Sequence, residues 1–265
     1  MTQIITVTNQ KGGVGKTTIA SALVCGLHQR GARVLGVDID PQGNLGFTLG
    51  LDFEDVTTLY DVVSGNCTMR EAIMHTDYGD VLPSDIMLSG LDVNFPAQNR
   101  EYLLSRYLAS VKDDYDFIII DTPPSLNILT INAYVASTGL VIPMEAEVLS
   151  LVGISQILDT VEAVRASFNP NLQVQGILMN KFDGRTKLSW EMLDLANELA
   201  DQMNSQVFPV HIRRGVDVAK APAHGQSVLT FRPRAKPAMD LEDFVGIIAG
   251  PAFPAPAPKP KLRHT

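Results

Sequence analysis

The stretch Asn9–Gln10–Lys11–Gly12–Gly13–Val14–Gly15–Lys16–Thr17–Thr18 decides the reading of this chain. It follows a short β-rich run, Gln3–Thr8, and leads into a helical pattern, Ile19–Arg30. Glycines at 12, 13 and 15 let the backbone turn tightly enough for its N–H groups to converge on phosphate oxygens. The helix that follows adds the positive end of its dipole. In that setting Lys16 is placed to reach the β- and γ-phosphates of a nucleotide, and the Thr17 hydroxyl to coordinate Mg²⁺. Gly12, Gly13, Val14, Gly15 and Thr18 complete the nucleotide-binding run. One feature departs from the ordinary phosphate loop. The first glycine of the pattern GxxxxGK[ST] falls on Gln10, and beside it sits a second lysine, Lys11. Two ammonium groups in one loop repel unless phosphate lies between them or one points elsewhere.

Outward from this loop, short β-rich runs alternate with longer helical patterns to about residue 250. The expected strands are Gln3–Thr8, Arg33–Asp38, Phe117–Asp121, Leu140–Pro143, Leu172–Met179 and Gln206–Pro209. Several are apolar at successive positions, which suits strands buried on both faces of a parallel sheet. Over Val148–Phe168, apolar residues recur every three or four positions, from Val148 through Leu151, Ile154, Ile157, Val161 and Val164 to Phe168, as on one face of a helix. This alternation predicts an α/β fold, a doubly wound and mostly parallel sheet flanked by helices, in one domain over residues 1–250. The end of the chain, PAFPAPAPKPKLRHT, cannot bury a core and is expected to be a flexible, partly polyproline tail over 251–265, with Lys259, Lys261 and Arg263 solvated.

Two acidic clusters complement the loop. In RVLGVDID, Asp38 and Asp40 fall two apart at the carboxyl end of a strand, so they point to one side where α/β sheets bind ligands. Asp40–Pro41–Gln42–Gly43 would also serve as a plain turn or helix cap. In FIIIDTPPS, four apolar residues end on Asp121, where a carboxylate can hold a Mg²⁺ water, or cap the helix that follows.

With these residues in this order, the chain resembles the ParA/MinD superfamily of P-loop ATPases. KGGVGKTT is similar to that family's deviant Walker A signature, DxDPQGN to its switch I, and DTPPSLN to its Walker B and switch II. Further similar segments are VLPSDIMLSGLD, VIPMEAEVLSLVGISQIL, NKFDGRTKLS and APAHGQSV, so the likeness spans most of residues 1–250. The resemblance implies an ATPase with ATP and Mg²⁺ as ligands. Lys16 would be the intrachain lysine, and Lys11 would cross to the γ-phosphate held by a second protomer in an ATP-sandwiched homodimer. It implies that Asp40 orients or activates the attacking water, that Asp38 supports the metal's hydration shell, that Asp121 is the metal-proximal acid and that Asn180 contacts adenine. A capping or core role for Asn180 stays open on the residues alone.

The periphery separates the branches of the superfamily. The last helical stretch, Met239–Gly250, carries Asp240, Glu242 and Asp243 and no basic residue, unlike a membrane-seeking amphipathic helix, so no membrane partner is expected. Only two cysteines are present, Cys25 and Cys67, neither near the Asp121 strand, which excludes a cluster held between protomers as in nitrogenase-type iron proteins, and equally a disulfide scaffold. The protein has 265 residues and a net charge of −8, yet His211–Pro237 holds six Lys and Arg against Asp217 alone, a local +5. Such asymmetry is the footprint of phosphate-backbone binding, although a solvated basic edge has the same charge count. Arg213, Arg214 and Lys220 are the expected DNA-binding residues, with Arg214 the best match to the family's DNA-contacting arginine and Asp217 in place of a second one. Lys181, Arg185 and Lys187 could add to that surface, and the first two could instead serve the nucleotide pocket or the dimer face. The first strand begins at Gln3, which leaves no room for a preceding helix-turn-helix and points to the short, chromosomal Soj-like type. The sequence also lacks a secretory signal and an apolar run of the ~18–20 residues a membrane span needs, so a cytoplasmic, nucleoid-associated protein is expected. The reading is therefore a ParA/Soj-type partition ATPase that binds DNA non-specifically and is stimulated by a ParB-type partner. The alternatives are a positioning ATPase for a protein cargo and a MinD-like spatial regulator.

Overall fold

In the computed structural model, which describes residues 1–52, 54, 56–90 and 98–255, seven strands form one sheet. They are β1 (Gln3–Val7), β2 (Val34–Asp38), β3 (Met74–Thr76), β4 (Gly79–Leu82), β5 (Phe117–Asp121), β6 (Gly139–Glu145) and β7 (Gln173–Asn180). Their order is β3-β4-β2-β5-β1-β6-β7, and every neighbouring pair is parallel except the β3–β4 hairpin. This is the doubly wound architecture the alternation predicts. All five residues of β2 and of β5 are buried, which explains their unbroken apolar character up to the terminal aspartate.

Helices cover both faces, giving two cores. On one face α1 (Lys16–Gln29) packs with Asn44–Thr48, Val228–Phe231 and Lys236–Ala249. On the other lie Leu103–Leu108, Ile128–Ala136, Val148–Ser167 and Lys187–Gln202. The chain winds from β1 across β5 to β2 on one side, and from β5 across β1 to β6 on the other. The carboxyl ends of β1, β2 and β5 therefore meet where the winding reverses, the place such sheets keep for ligands.

Several expected boundaries shift. Gln206–Pro209 makes only an isolated bridge, Val207 to Ile177; after the Phe208 N–H the next bond to β7 comes from the Ile212 N–H to the Met179 carbonyl, so no regular ladder forms. The β3–β4 hairpin has no counterpart among the expected strands, as three or four residues are too few to show a period. α1 starts at Lys16 rather than Ile19, so Lys16 and Thr17 belong to its first turn. The last helix starts at Lys236, so it does carry one basic residue, at its first position. In the long helix, Ile154, Ile157, Val161 and Val164 are buried as the period predicts, but Val148 and Val152 are more than half exposed at its first turns. Phe253, just past the last helix, packs edge-on against Phe117 and its carbonyl accepts from Arg30. The expectations for Lys259, Lys261 and Arg263 lie outside the described residues.

Candidate functional site: a phosphate loop over buried acids

The loop between β1 and α1 is shaped from within. Asn9 is buried; its amide donates to the Pro143 carbonyl at 2.7 Å and its oxygen accepts from the Lys11 N–H at 2.9 Å. Gly13 (φ +77°) and Gly15 (φ +94°) lie in the left-handed region, where a side chain is strained. At Gly15 a Cβ would also collide with Asn180 Nδ2. Around Gly12 and Gly13, by contrast, a Cβ would meet nothing within 4 Å, so the loop opens to solvent there. No side chain caps α1 and no acid lies in its first turn, leaving its first N–H groups and their partial positive charge to an anion.

Beneath the loop, Lys16 is buried and its ammonium donates to the Lys11 carbonyl at 3.2 Å. Burial lowers its pKa, while Asp121 and Asp40 pull it back up. Lys11 points the other way and pairs with Glu147 at 2.5 Å on the rim. The two ammonium groups are thus separated, one turned inward and one outward.

Asp38 and Asp121 sit in register at the ends of β2 and β5, both fully buried. Asp38 accepts from the Asp40 N–H on one oxygen and the Leu45 N–H on the other, each at 2.9 Å. Asp40 is nearly buried and holds the next turn, accepting from the Gln42 N–H at 3.0 Å. Neither oxygen of Asp121 has a well-formed hydrogen bond. Burial pushes its pKa up to about 7, against the pull of the neighbouring Thr17 hydroxyl and the Lys16 ammonium. Burial and the Asp121 charge likewise raise the pKa of Asp38. A buried carboxylate without a well-formed hydrogen bond, beside a hydroxyl and an ammonium, fits a hydrated divalent cation on a nucleotide phosphate.

Asn180 is buried at the end of β7, its amide donating to the Val14 carbonyl at 2.6 Å and its oxygen accepting from the Lys181 N–H at 2.9 Å. Lys181 reaches the loop too, its ammonium on the Gly13 carbonyl at 2.6 Å and on Glu145 at 2.8 Å. Glu145 and Glu147 carry no role in the sequence reading, because nothing in their local spacing links them to a loop over a hundred residues away, and Asn9 stands there only as the first residue of the loop stretch.

The basic segment divides in two. Arg213 forms a fork onto Asp240 at 2.6 and 2.9 Å, which neutralises it. Arg214 and Lys220 are exposed and make no ion pair among the described residues, as is true of Lys236. Arg214 and Lys236 line a cleft of about 560 Å³ with Lys181, Arg185 and Arg213, beside the loop that follows Asn180. Among the described residues no helix is long and apolar enough to cross a membrane.

A parallel doubly wound sheet with an uncapped helix behind a glycine loop and aspartates at adjoining strand ends defines a P-loop ATPase of the MinD/ParA type. A family model described as an AAA domain matches residues 2–174. The sporulation initiation inhibitor protein Soj of Bacillus subtilis is 41% identical over 240 residues, covering 89% of this chain and 94% of that one. The chromosome partitioning protein ParA of Caulobacter vibrioides is 37% identical over 235 residues, 86% and 87% of the two chains. Among solved structures, a cobyrinic acid a,c-diamide synthase from Mycobacterium smegmatis with bound ADP and magnesium superposes with a TM-score of 0.80 at 33% identity, over 97% of this chain and all of that one. The cell division ATPase MinD of Pyrococcus furiosus gives 0.77 at 26% identity, over 94% and 98%. The chain belongs to the Soj/ParA family of chromosome-partitioning ATPases.

Proposed function

We propose that this protein is an ATP-driven partition ATPase: it binds MgATP, dimerises around two nucleotides, holds DNA without sequence preference, and releases it after hydrolysis stimulated by a ParB-type partner. The observation that carries this reading is Asp121, buried without a well-formed hydrogen bond beneath an uncapped helix start, beside Lys16 and Thr17. Thr17 and Asp121, with Asp38 behind, would hold Mg²⁺, which supplies charge neutralisation on the phosphates. The loop N–H groups and Lys16 receive the β- and γ-phosphates and stabilise the charge that develops on the transferred phosphoryl group. Asp40 has one oxygen fixed by the Gln42 N–H, which leaves the other to orient the attacking water.

Lys11 is the dimer-dependent residue. Its pair with Glu147 is half exposed, and such pairs are weak, so the side chain is free to exchange that partner for a phosphate across an interface. Val148 and Val152, exposed next to Glu147, supply apolar surface at the same rim. Arg214 and Lys220 are unpaired cations offered to DNA, with Arg213 held back by Asp240. The kinship with Soj and ParA supports a chromosomal role and a place on the nucleoid.

The test is steady-state phosphate release from MgATP with and without DNA and a ParB-type protein. Stimulation by the two together, lost in Arg214→Glu/Lys220→Glu while ATP-dependent dimerisation persists, is expected. Hydrolysis indifferent to both additions would contradict the reading.

A further inference from the structure

Lys181 stands apart from the other basic residues near the nucleotide loop. It is one of three described non-glycine residues with positive φ, +53°, a conformation that costs energy unless the surroundings enforce it. Its ammonium bridges the Gly13 carbonyl, at 2.6 Å, and Glu145, at 2.8 Å. Glu145 closes β6 and its side chain is only 11% exposed. A buried carboxylate at the mouth of a phosphate site is electrostatically adverse to an anionic ligand; Lys181 cancels it and turns it into an anchor. The preceding residue, Asn180, holds the Val14 carbonyl in the same way. Two consecutive side chains from the end of β7 thus grip two consecutive carbonyls of the loop. With those carbonyls drawn back, the left-handed turn at Gly13 leaves the loop N–H groups for phosphate.

We infer that Lys181, anchored by Glu145, is a positioning residue that presets the phosphate loop for the nucleotide rather than a DNA contact. This rests on the nucleotide-binding reading above. The strut also links the loop to the basic segment, since the next residue, Phe182, bridges to Arg213 and donates its N–H to the Ile212 carbonyl at 2.9 Å.

The experiment compares Lys181→Met, Lys181→Arg and Glu145→Gln with the unmodified full-length chain by MgADP titration and by amide exchange of the nucleotide-free protein. Lys181→Met is expected to weaken MgADP binding about tenfold, the loss of one charge-assisted hydrogen bond. It is also expected to speed exchange in the peptide spanning residues 9–18. Lys181→Arg should recover most of the affinity, a rescue that a general packing defect would not show. Should Lys181→Met fail to fold, Glu145→Gln decides: weaker binding supports the strut, and unchanged affinity overturns it. MgADP affinity within twofold of the unmodified chain for Lys181→Met, with unchanged exchange, also overturns it. If the unmodified chain binds no MgADP, the nucleotide reading falls, while the exchange comparison still judges the strut.

Discussion

Asp38 and Asp121 occupy facing positions at the ends of two neighbouring strands, equally buried and only one strand spacing apart, yet their oxygens meet opposite fates. Each oxygen of Asp38 accepts a backbone N–H, so this side chain builds the turn that carries Asp40 and starts the helix Asn44–Thr48. Asp121 accepts no well-formed bond. A buried acid that serves the fold is satisfied by the fold; one kept for a ligand is left wanting and destabilises the empty protein.

The contrast is sharpest in the nucleotide-free protein. Asp121→Asn should stabilise it at pH 8 by on the order of 3 kcal/mol, because a carboxylate with its pKa raised to about 7 by burial is ionised there at a cost. The same variant should lose Mg²⁺-dependent nucleotide affinity. Urea unfolding and nucleotide titration check the two halves, and a destabilised Asp121→Asn would break the comparison. Asp38→Ala should act in the opposite sense, costing about 2 kcal/mol by leaving two buried N–H groups without acceptors.

A pH series gives a subtler distinction. Both acids have folded pKa values raised above the ordinary carboxylate range, so the unfolded chain gives up these protons first as pH rises. The contribution of Asp121 is full below about pH 4 and is lost as pH climbs to about 7, and Asp38 acts in the same direction. The melting temperature of the nucleotide-free protein should therefore carry a downward component between about pH 4 and 7, reduced in Asp121→Asn and reduced also by saturating MgADP. A slope identical in the variant would reassign the titration. The smallest effect on the fold is expected from Lys11→Met: its exposed pair with Glu147 adds little, so the melting temperature should stay within about 1 °C while ATP-dependent dimerisation is lost.

Much of the fold was legible because parallel strands and long helices announce themselves locally. Phe117–Asp121 reads as four buried apolar residues ending in an acid, and the glycine loop sits between a strand and a helix as its chemistry demands. The short β3–β4 hairpin did not, since three or four residues give no period to read. At the site, residue type and strand position marked Lys16, Thr17, Asp38 and Asp121. What stayed hidden were pairings made through space: Lys11 with Glu147, Lys181 with Glu145, and Arg213 with Asp240. The last matters most, because a charge count over His211–Pro237 treats Arg213 as free when the fold has neutralised it. The difference between Asp38 and Asp121 is of the same kind, for the strand-end pattern is shared and only the neighbouring backbone tells them apart.

Sedimentation of Asp40→Ala with saturating MgATP, set beside MgADP, shows whether the triphosphate joins two copies of the chain. A stable two-subunit species is expected with the triphosphate, and single subunits with the diphosphate or with Lys11→Met added. Single subunits under all three conditions, in protein shown to have bound its nucleotide, would contradict the ATP-sandwiched homodimer.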